Sequence, residues 1–305
     1  MKALIYYHEA DLDGKLSGAI CSMALRKKNY EVTLLGWDYH KNSKMPVNWQ
    51  EMADKYDKIF IVDLSIPVFL ADENWFGKVV WIDHHASAIK EFATNIRGFR
   101  IDGVSAARLC WQYFFNPDYD LLNLEDFNNR DVIEPEFVAL AGEYDVFFKR
   151  GDEHHMALNF AVGHLKIEEI QDLLSIFVDD FSPTNPTSIH WNLVERGYEI
   201  LSYVKKISSR CLGFRMREIP NSLFVNQTIA SSLIFEEDDR ARHVDYVGVF
   251  SISGEGTIKA SVYRKNENAE IKAFEIAKKY GGGGHHNAAG FTMPMSMFNE
   301  VFTKA

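Results

Sequence analysis

Histidines and aspartates stand in this chain where apolar runs stop. Val79-Val80-Trp81-Ile82 runs into Asp83-His84-His85, Leu4-Ile5-Tyr6-Tyr7 ends on His8 with Asp11 and Asp13 close behind, and Ile59-Phe60-Ile61-Val62 ends on Asp63. Such groups at the end of a buried run are costly to desolvate unless they are paired or hold a metal. A mixed nitrogen and oxygen donor set suits divalent first-row ions, with Mn2+ or Mg2+ ahead of Zn2+ where oxygen dominates. His8, Asp11, Asp13, Asp63, His84 and, further along, Asp145 are too many ligands for one tetrahedral ion and suit two ions sharing a carboxylate. Two ions about 3.5–4 Å apart hold a phosphoryl oxygen and make water a nucleophile at neutral pH. The expected chemistry is metal-assisted hydrolysis of a phosphate ester. Asp13-Gly14 alone is an ordinary turn signal, and a single Asp after a strand is commonly a helix cap. The coincidence of three run ends points to a site. An EF-hand is excluded, because Gly14 falls too early and Ser22 stands where the twelfth-position Glu belongs.

A second constellation lies near the C-terminus. Gly281-Gly282-Gly283-Gly284 is followed by His285-His286. Consecutive glycines allow positive φ and close backbone approach, the makings of an anion-binding nest. No Gly-Lys-Ser/Thr follows and no G-x-G-x-x-G fits, so this is neither a P-loop nor a dinucleotide fingerprint. Arg264, upstream in Ser261-Val262-Tyr263-Arg264, is shaped for bidentate phosphate contact. Other candidates read as structural: His154-His155 as a solvated loop, Ser105 and Arg108 as a helix cap or surface. Tyr6, Tyr7 and Trp81 read as core aromatics, although an aromatic bordering the site would be able to stack on a base.

The elements that must position these groups alternate. Strands are expected over Lys2–Tyr7, Glu31–Gly36, Ile59–Val62 and the run ending at Asp83. A helix is expected from Leu16 through Ala24 to near Asn29, and a short one opened by Pro67. Short strands alternating with helices argue for βαβ units, and an open parallel sheet gathers ligands outside the carboxyl ends of its strands. From about Val104 to Ile176 the chain reads mainly helical. Phe181-Ser182-Pro183-Thr184-Asn185-Pro186-Thr187 is a boundary signal, and Ile189–Ser209 reads as one amphipathic connector helix. Beyond it, Tyr246–Ile252 and Thr257–Tyr263 form a hairpin through Gly254-Glu255-Gly256, followed by a helix around Glu270–Tyr280. The fold expected is α/β: a parallel-sheet catalytic domain over 1–181, a linker and connector helix over 182–212, and a smaller α/β substrate-binding domain over 213–305.

Composition narrows the function classes. The 305 residues are 47% hydrophobic and 25% charged, values of a soluble globular protein, and no apolar run has the length of a membrane span. Cys21, Cys110 and Cys211 are widely spaced and odd in number, which suits a reducing cytoplasm better than a disulfide framework. A formal net charge of −10 argues against wrapping long DNA, which needs clustered Lys and Arg. A short phosphorylated substrate remains compatible, as does a homodimer.

His8-Glu9-Ala10-Asp11-Leu12-Asp13-Gly14, Val62-Asp63 and Asp83-His84-His85 resemble the first three motifs of the DHH phosphoesterase superfamily, and Gly142-Glu143-Tyr144-Asp145 resembles the fourth. His8 precedes Asp11 by three residues, where the family spacing is two or four. Gly282-Gly283-Gly284-His285-x-x-Ala288-Ala289-Gly290 is similar to the signature of the DHH-associated C-terminal domain. The resemblance implies a pair of Mn2+ ions held by His8, Asp11, Asp13, Asp63, His84 and Asp145, with Asp63 as the bridge and Mg2+ as the alternative ion. It implies that His85 faces the scissile phosphate, and that Arg264, Gly283, Gly284 and His285 grip the substrate. Asp83 orients a neighbouring His or contacts metal. The activity implied is hydrolysis of short oligonucleotides or dinucleotides, as in oligoribonucleases and RecJ-type exonucleases. A cyclic-dinucleotide phosphodiesterase or a 3′,5′-bisphosphate nucleotide phosphatase would use the same ligands. A family II pyrophosphatase lacks the glycine–histidine signature, and a non-catalytic nucleotide-binding sensor is the rival from another class.

Overall fold

Strands that are apolar at every position, rather than at alternate ones, need cover on both faces. The computed structural model, which describes residues 1–38, 49–92, 95–146, 153–179, 188–229, 231–284 and 286–305, supplies that cover in the first of two compact units, Met1–Tyr198 and Glu199–Ala305. The first unit contains β1 (Lys2–His8), α1 (Leu12–Lys27), β2 (Glu31–Trp37), α2 (Trp49–Asp54), β3 (Lys58–Val62), α3 (Pro67–Leu70), β4 (Val79–Ile82) and α4 (Ala86–Glu91). A helical half follows: α5 (Ala106–Phe115), α6 (Leu124–Asn128), α7 (Glu136–Asp145), α8 (His154–Val162) and α9 (Ile167–Asp179).

The four strands are parallel, in the order β2-β1-β3-β4. Ala3, Ile5, Tyr7, Phe60, Val62, Val80 and Ile82 face one core, which includes residues of α1, α5, α7, α8 and α9. Leu4, Tyr6, Ile59, Ile61, Val79 and Trp81 face the other, against Phe69 and Leu70 of α3 and Trp75. All three apolar runs singled out in the sequence are adjacent strands running in one direction, so their carboxyl ends share an edge. α10 (Ser188–Ser208) covers the expected connector helix, and the division between the two units falls within it. The boundary segment 181–187 lies outside the described residues.

The second unit is built on a seven-stranded mixed sheet, order β11-β5-β6-β7-β8-β10-β9. Its strands are β5 (Gly213–Met216), β6 (Ile219–Asn226), β7 (Tyr246–Ile252), β8 (Thr257–Arg264), β9 (Gly283–Gly284), β10 (Ala288–Pro294) and β11 (Phe302–Lys304), with α11 (Ala273–Lys278) and α12 (Phe298–Val301). β7 and β8 pair antiparallel from Tyr246↔Arg264 to Ile252↔Ile258, the hairpin expected from Gly254-Glu255-Gly256. The glycine run is part of a hairpin as well. Gly284 pairs with Ala289 and Gly283 with Gly290, and Gly284 has φ +141°, where a Cβ would lie 2.6 Å from the Ala288 oxygen.

Candidate metal centre

β1 ends on His8 and Asp63 directly follows β3, while Asp11 caps α1 and Asp13 lies in its first turn. Asp11 is the N-cap of α1: one carboxylate oxygen accepts from Gly14 N at 3.0 Å, and the other lies 2.9 Å from His8 Nδ1. Gly14 makes that closeness feasible, because a Cβ there would lie 2.1 Å from the His8 carbonyl oxygen. Asp13 is buried, and its two oxygens accept from Ala106 N and Ala107 N at 2.8 and 2.9 Å. A residue of α1 therefore supplies the N-terminal cap of α5, a role the N-cap residue Ser105 does not fill with its own side chain.

Asp63 lies between the two halves. Its Oδ2 is 3.5 Å from His8 Nδ1, and its Oδ1 is 3.3 Å from His84 Nε2 and 3.9 Å from His85 Nδ1. It has φ +55°, sparsely populated for a residue with a side chain, and its N–H donates to Ile82 O at 3.0 Å. His84 Nε2 also lies 3.4 Å from Asp145 Oδ2 and 3.8 Å from Asp13 Oδ2. Three overlapping sets of donor atoms result: His8, Asp11 and Asp63; Asp63, His84 and His85; Asp13, His84 and Asp145. All six residues expected as ligands are brought together, and the three-residue spacing from His8 to Asp11 does not keep them apart.

The electrostatics are those of a cluster in need of cations. Burial works against charge on His8, but hydrogen bonds to Asp11 and Asp63 outweigh it and raise the imidazole to about 11. Burial likewise opposes charge on His84, and Asp63, Asp145 and Asp13 raise it to about 10. Burial and the neighbouring Asp63 push the Asp13 carboxyl up to about 7. Burial and then Asp13 push Asp145 well above the ordinary carboxylate range. Asp63 Oδ1 and Asp145 Oδ2 are buried and make no hydrogen bond of good geometry. Carboxylate oxygens left in this state, beside imidazoles held as cations, fit a divalent metal: bound ions would take the place of the protons and satisfy the orphaned oxygens.

Asp83 has a different part. Oδ1 accepts from His84 N at 2.7 Å and His85 N at 3.2 Å and lies 2.7 Å from His85 Nδ1; Oδ2 accepts from Ser65 Oγ at 2.9 Å and Trp81 Nε1 at 3.2 Å. With both oxygens committed to the protein, Asp83 orients His85 and stands apart from the ligand sets. Its hydrogen bond raises the His85 imidazole above its ordinary value, against burial, and holds Nδ1 so that Nε2 is left for other work.

In the second unit, Arg264 N donates to Asn287 O at 2.9 Å, so the arginine stands beside the tip of the glycine hairpin. Its Nη2 donates to the carbonyls of Glu267 and Ala269, while its Nε is buried without an acceptor. Gly283 and Gly284 are exposed. His285 lies outside the described residues. Three structural expectations need correction. Arg108 is a buried residue paired with Glu134 at 2.5 Å, not a surface one. Ser105 occupies the N-cap of α5 but is fully buried and makes no capping bond. His155 is buried inside α8 rather than solvated in a loop.

The model of the DHHA1 domain matches residues 226–305. The chain carries a DHHA1 domain. Among solved structures, the chain is similar to the pGpG-specific phosphodiesterase PggH from Vibrio cholerae, at 14% identity and TM-score 0.51, covering 98% of this chain and 96% of that one. It is also similar to the exonuclease RecJ bound to manganese, at 16% identity and TM-score 0.50, covering 98% and 87%. No curated protein matches it in sequence. The DHHA1 match and the shared fold bear out the resemblance to the DHH superfamily read from the motifs. Among the described residues no helix is long and apolar enough to cross a membrane.

Proposed function

We propose that the protein is a metal-dependent phosphodiesterase of short oligonucleotides or dinucleotides. The observation that carries this reading is Asp63, whose two oxygens face opposite sets of donors. A bound pair of divalent ions would supply Lewis acidity and an activated water. His8 and Asp11 would hold one ion, Asp13, His84 and Asp145 the other, and Asp63 both. Mn2+ or Mg2+ suits this mixture of carboxylate and imidazole donors.

The chain's own residues account for the remaining steps. Asp13, anchored by two amides of α5, keeps its carboxylate in place while charge changes around it. Asp83 fixes the His85 ring through Nδ1 and favours its protonated form, so Nε2 donates a proton or a charged hydrogen bond to the leaving oxygen as the P–O bond breaks. Arg264, Gly283, Gly284 and His285 would bind the phosphate or nucleotide portion of the substrate. The likeness in fold to a protein described as a pGpG-specific phosphodiesterase puts dinucleotides first among substrates to try.

The test is hydrolysis with Mn2+ of RNA and DNA oligomers of graded length, linear and cyclic dinucleotides, 3′,5′-bisphosphoadenosine and pyrophosphate, with Asp63→Ala as control. Cleavage concentrated on the shortest oligomers, lost in the variant, is expected. Turnover of only a cyclic dinucleotide or a bisphosphate would move the substrate class. Binding without turnover would leave the sensor.

A further inference from the structure

Asp83 is fully buried, and its backbone is held from both sides. Asp63 N donates to Ile82 O at 3.0 Å, where the pairing of β3 with β4 ends, and Asp83 N donates to Phe99 O at 3.4 Å on the other side. What the backbone leaves free is the side chain. The terminal torsion of an aspartate is broad, with no sharp well of its own, so the donors that its two oxygens meet decide where Oδ1 points. Among the described residues, the donors to Oδ1 all come from the next two positions: His84 N, His85 N and His85 Nδ1. These move with the histidines and cannot fix them. The donors to Oδ2 come from elsewhere, Ser65 and Trp81.

Those two donors are unequal. Trp81 has a single indole N–H, which reaches Leu64 O at 2.8 Å and Asp83 Oδ2 only at 3.2 Å. Its ring is fixed for other reasons as well, with the Arg100 guanidinium 5.0 Å from its centre and Phe92 edge-on against it. The indole proton belongs mainly to Leu64. Ser65 Oγ lies 2.9 Å from Oδ2, and an ionised carboxylate only accepts, so the hydroxyl is the donor. A hydrogen bond to a charged acceptor is about twice as strong as a neutral one. Ser65 stands two residues beyond Asp63, on the segment that leaves β3 through the positive φ of that aspartate. The bond therefore runs from the segment carrying the shared carboxylate to the residue that holds His85. Together with Trp81 Nε1 to Leu64 O, it continues the tie between β3 and β4 past their last backbone pair, Val62↔Ile82.

We propose that Ser65 is a positioning residue for His85: by holding Asp83 Oδ2 it keeps Oδ1 against His85 Nδ1 and the imidazole in register with Asp63, whose Oδ1 lies 3.9 Å from that nitrogen. Its part in turnover rests on the hydrolase reading above; its part in holding the ring does not.

Two readouts on the full chain test this, with Ser65→Ala, Ser65→Cys and Ser65→Thr. The first needs no substrate. In protein carrying nitrogen-15 histidine, with saturating Mg2+, the His85 Nδ1–H should give a downfield proton signal protected from exchange with water, assigned by its loss in His85→Gln. Ser65→Ala should lose that signal to exchange, as should Ser65→Cys, which has nearly the size of serine but a weak donor. Ser65→Thr keeps the hydroxyl and should keep the signal. The second readout is hydrolysis of a linear RNA dinucleotide with Mn2+. Ser65→Ala should lower kcat about tenfold, the low end of the loss when an outer-shell partner is removed. KM should stay within about twofold, since the interaction serves the transition state. In an Asp83→Asn background the same substitution should cost less than about twofold, because both act through one chain of contacts. Mn2+ held per chain should be unchanged. A protected signal or full kcat in both Ser65→Ala and Ser65→Cys would overturn the proposal, as would a loss that Ser65→Thr does not restore. A signal lost in Ser65→Ala from a chain that cleaves no dinucleotide would keep the positioning and sink the hydrolase. Dinucleotide cleavage untouched by the substitution would do the reverse.

Discussion

Asp63 stands between His8 and His84 in a backbone conformation that costs on the order of 1–3 kcal/mol for a non-glycine residue. The surrounding donors make sense of that cost only if the carboxylate has to be there. The metal-free protein should show this in its stability. His8 and His84 have folded pKa values of about 11 and 10, above the unfolded value of about 6.5. Each therefore stabilises the fold below about pH 6.5 and loses that contribution as pH rises through its folded value. Asp13, raised to about 7, acts in the same direction, because the folded state again holds the proton that the unfolded state has released. The melting temperature of the metal-free protein should fall from pH 6 to pH 10, and saturating Mn2+ should flatten or reverse that slope. A metal-free melting temperature that climbs over this range would contradict the charge assignment. At the same scale, Asp83→Asn removes the carboxylate that raises His85. Catalytic rate should drop about 10–100-fold, as when an outer-shell partner is lost, with the alkaline limb of the pH profile moved to lower pH and Mn2+ stoichiometry unchanged.

Between elements, one aspartate joins two helices. Asp13 belongs to α1 yet accepts from the first two amides of α5, while Asp145, at the end of α7, is placed by its helix with Oδ2 left without a hydrogen bond. The two carboxylates should respond oppositely in the metal-free protein. Asp13→Ala strands two amides and should lower the unfolding free energy in urea by about 1–2 kcal/mol. Asp145→Ala removes a poorly solvated carboxyl and should leave the unfolding free energy unchanged or raised. Both should impair metal binding. The strand ends were legible in the sequence because a run such as Ile59–Val62 has to stop where its first charge appears, and three such stops in βαβ order share one sheet edge. Asp13 as a cap was not legible. Its partners, Ala106 and Ala107, contribute only backbone, and no residue type marks an amide that needs an acceptor from another helix. Arg108 was misread for a related reason: a buried cation reads as surface until its partner Glu134 is found on a different segment. The strand β9 was hidden because its two glycines carry no apolar pattern, whereas β10 does alternate, burying Ala289, Phe291 and Met293, and was masked by the glycine run read as a loop before it.

For the whole molecule, a net charge of −10 gathers part of its excess at one edge of a parallel sheet, and an anionic phosphodiester of the kind proposed would need compensating cations to approach that edge. The second unit offers a mixed sheet carrying Arg264 beside a glycine hairpin, and the DHHA1 match falls within that unit. The most direct test of the proposed two-ion centre is the number of Mn2+ ions held per chain, measured by equilibrium dialysis and elemental analysis at pH 8. Two ions per wild-type chain, with both affinities weakened by Asp63→Ala alone, is the predicted result. A single ion per chain, or two ions indifferent to Asp63→Ala, would contradict a centre built around a shared carboxylate.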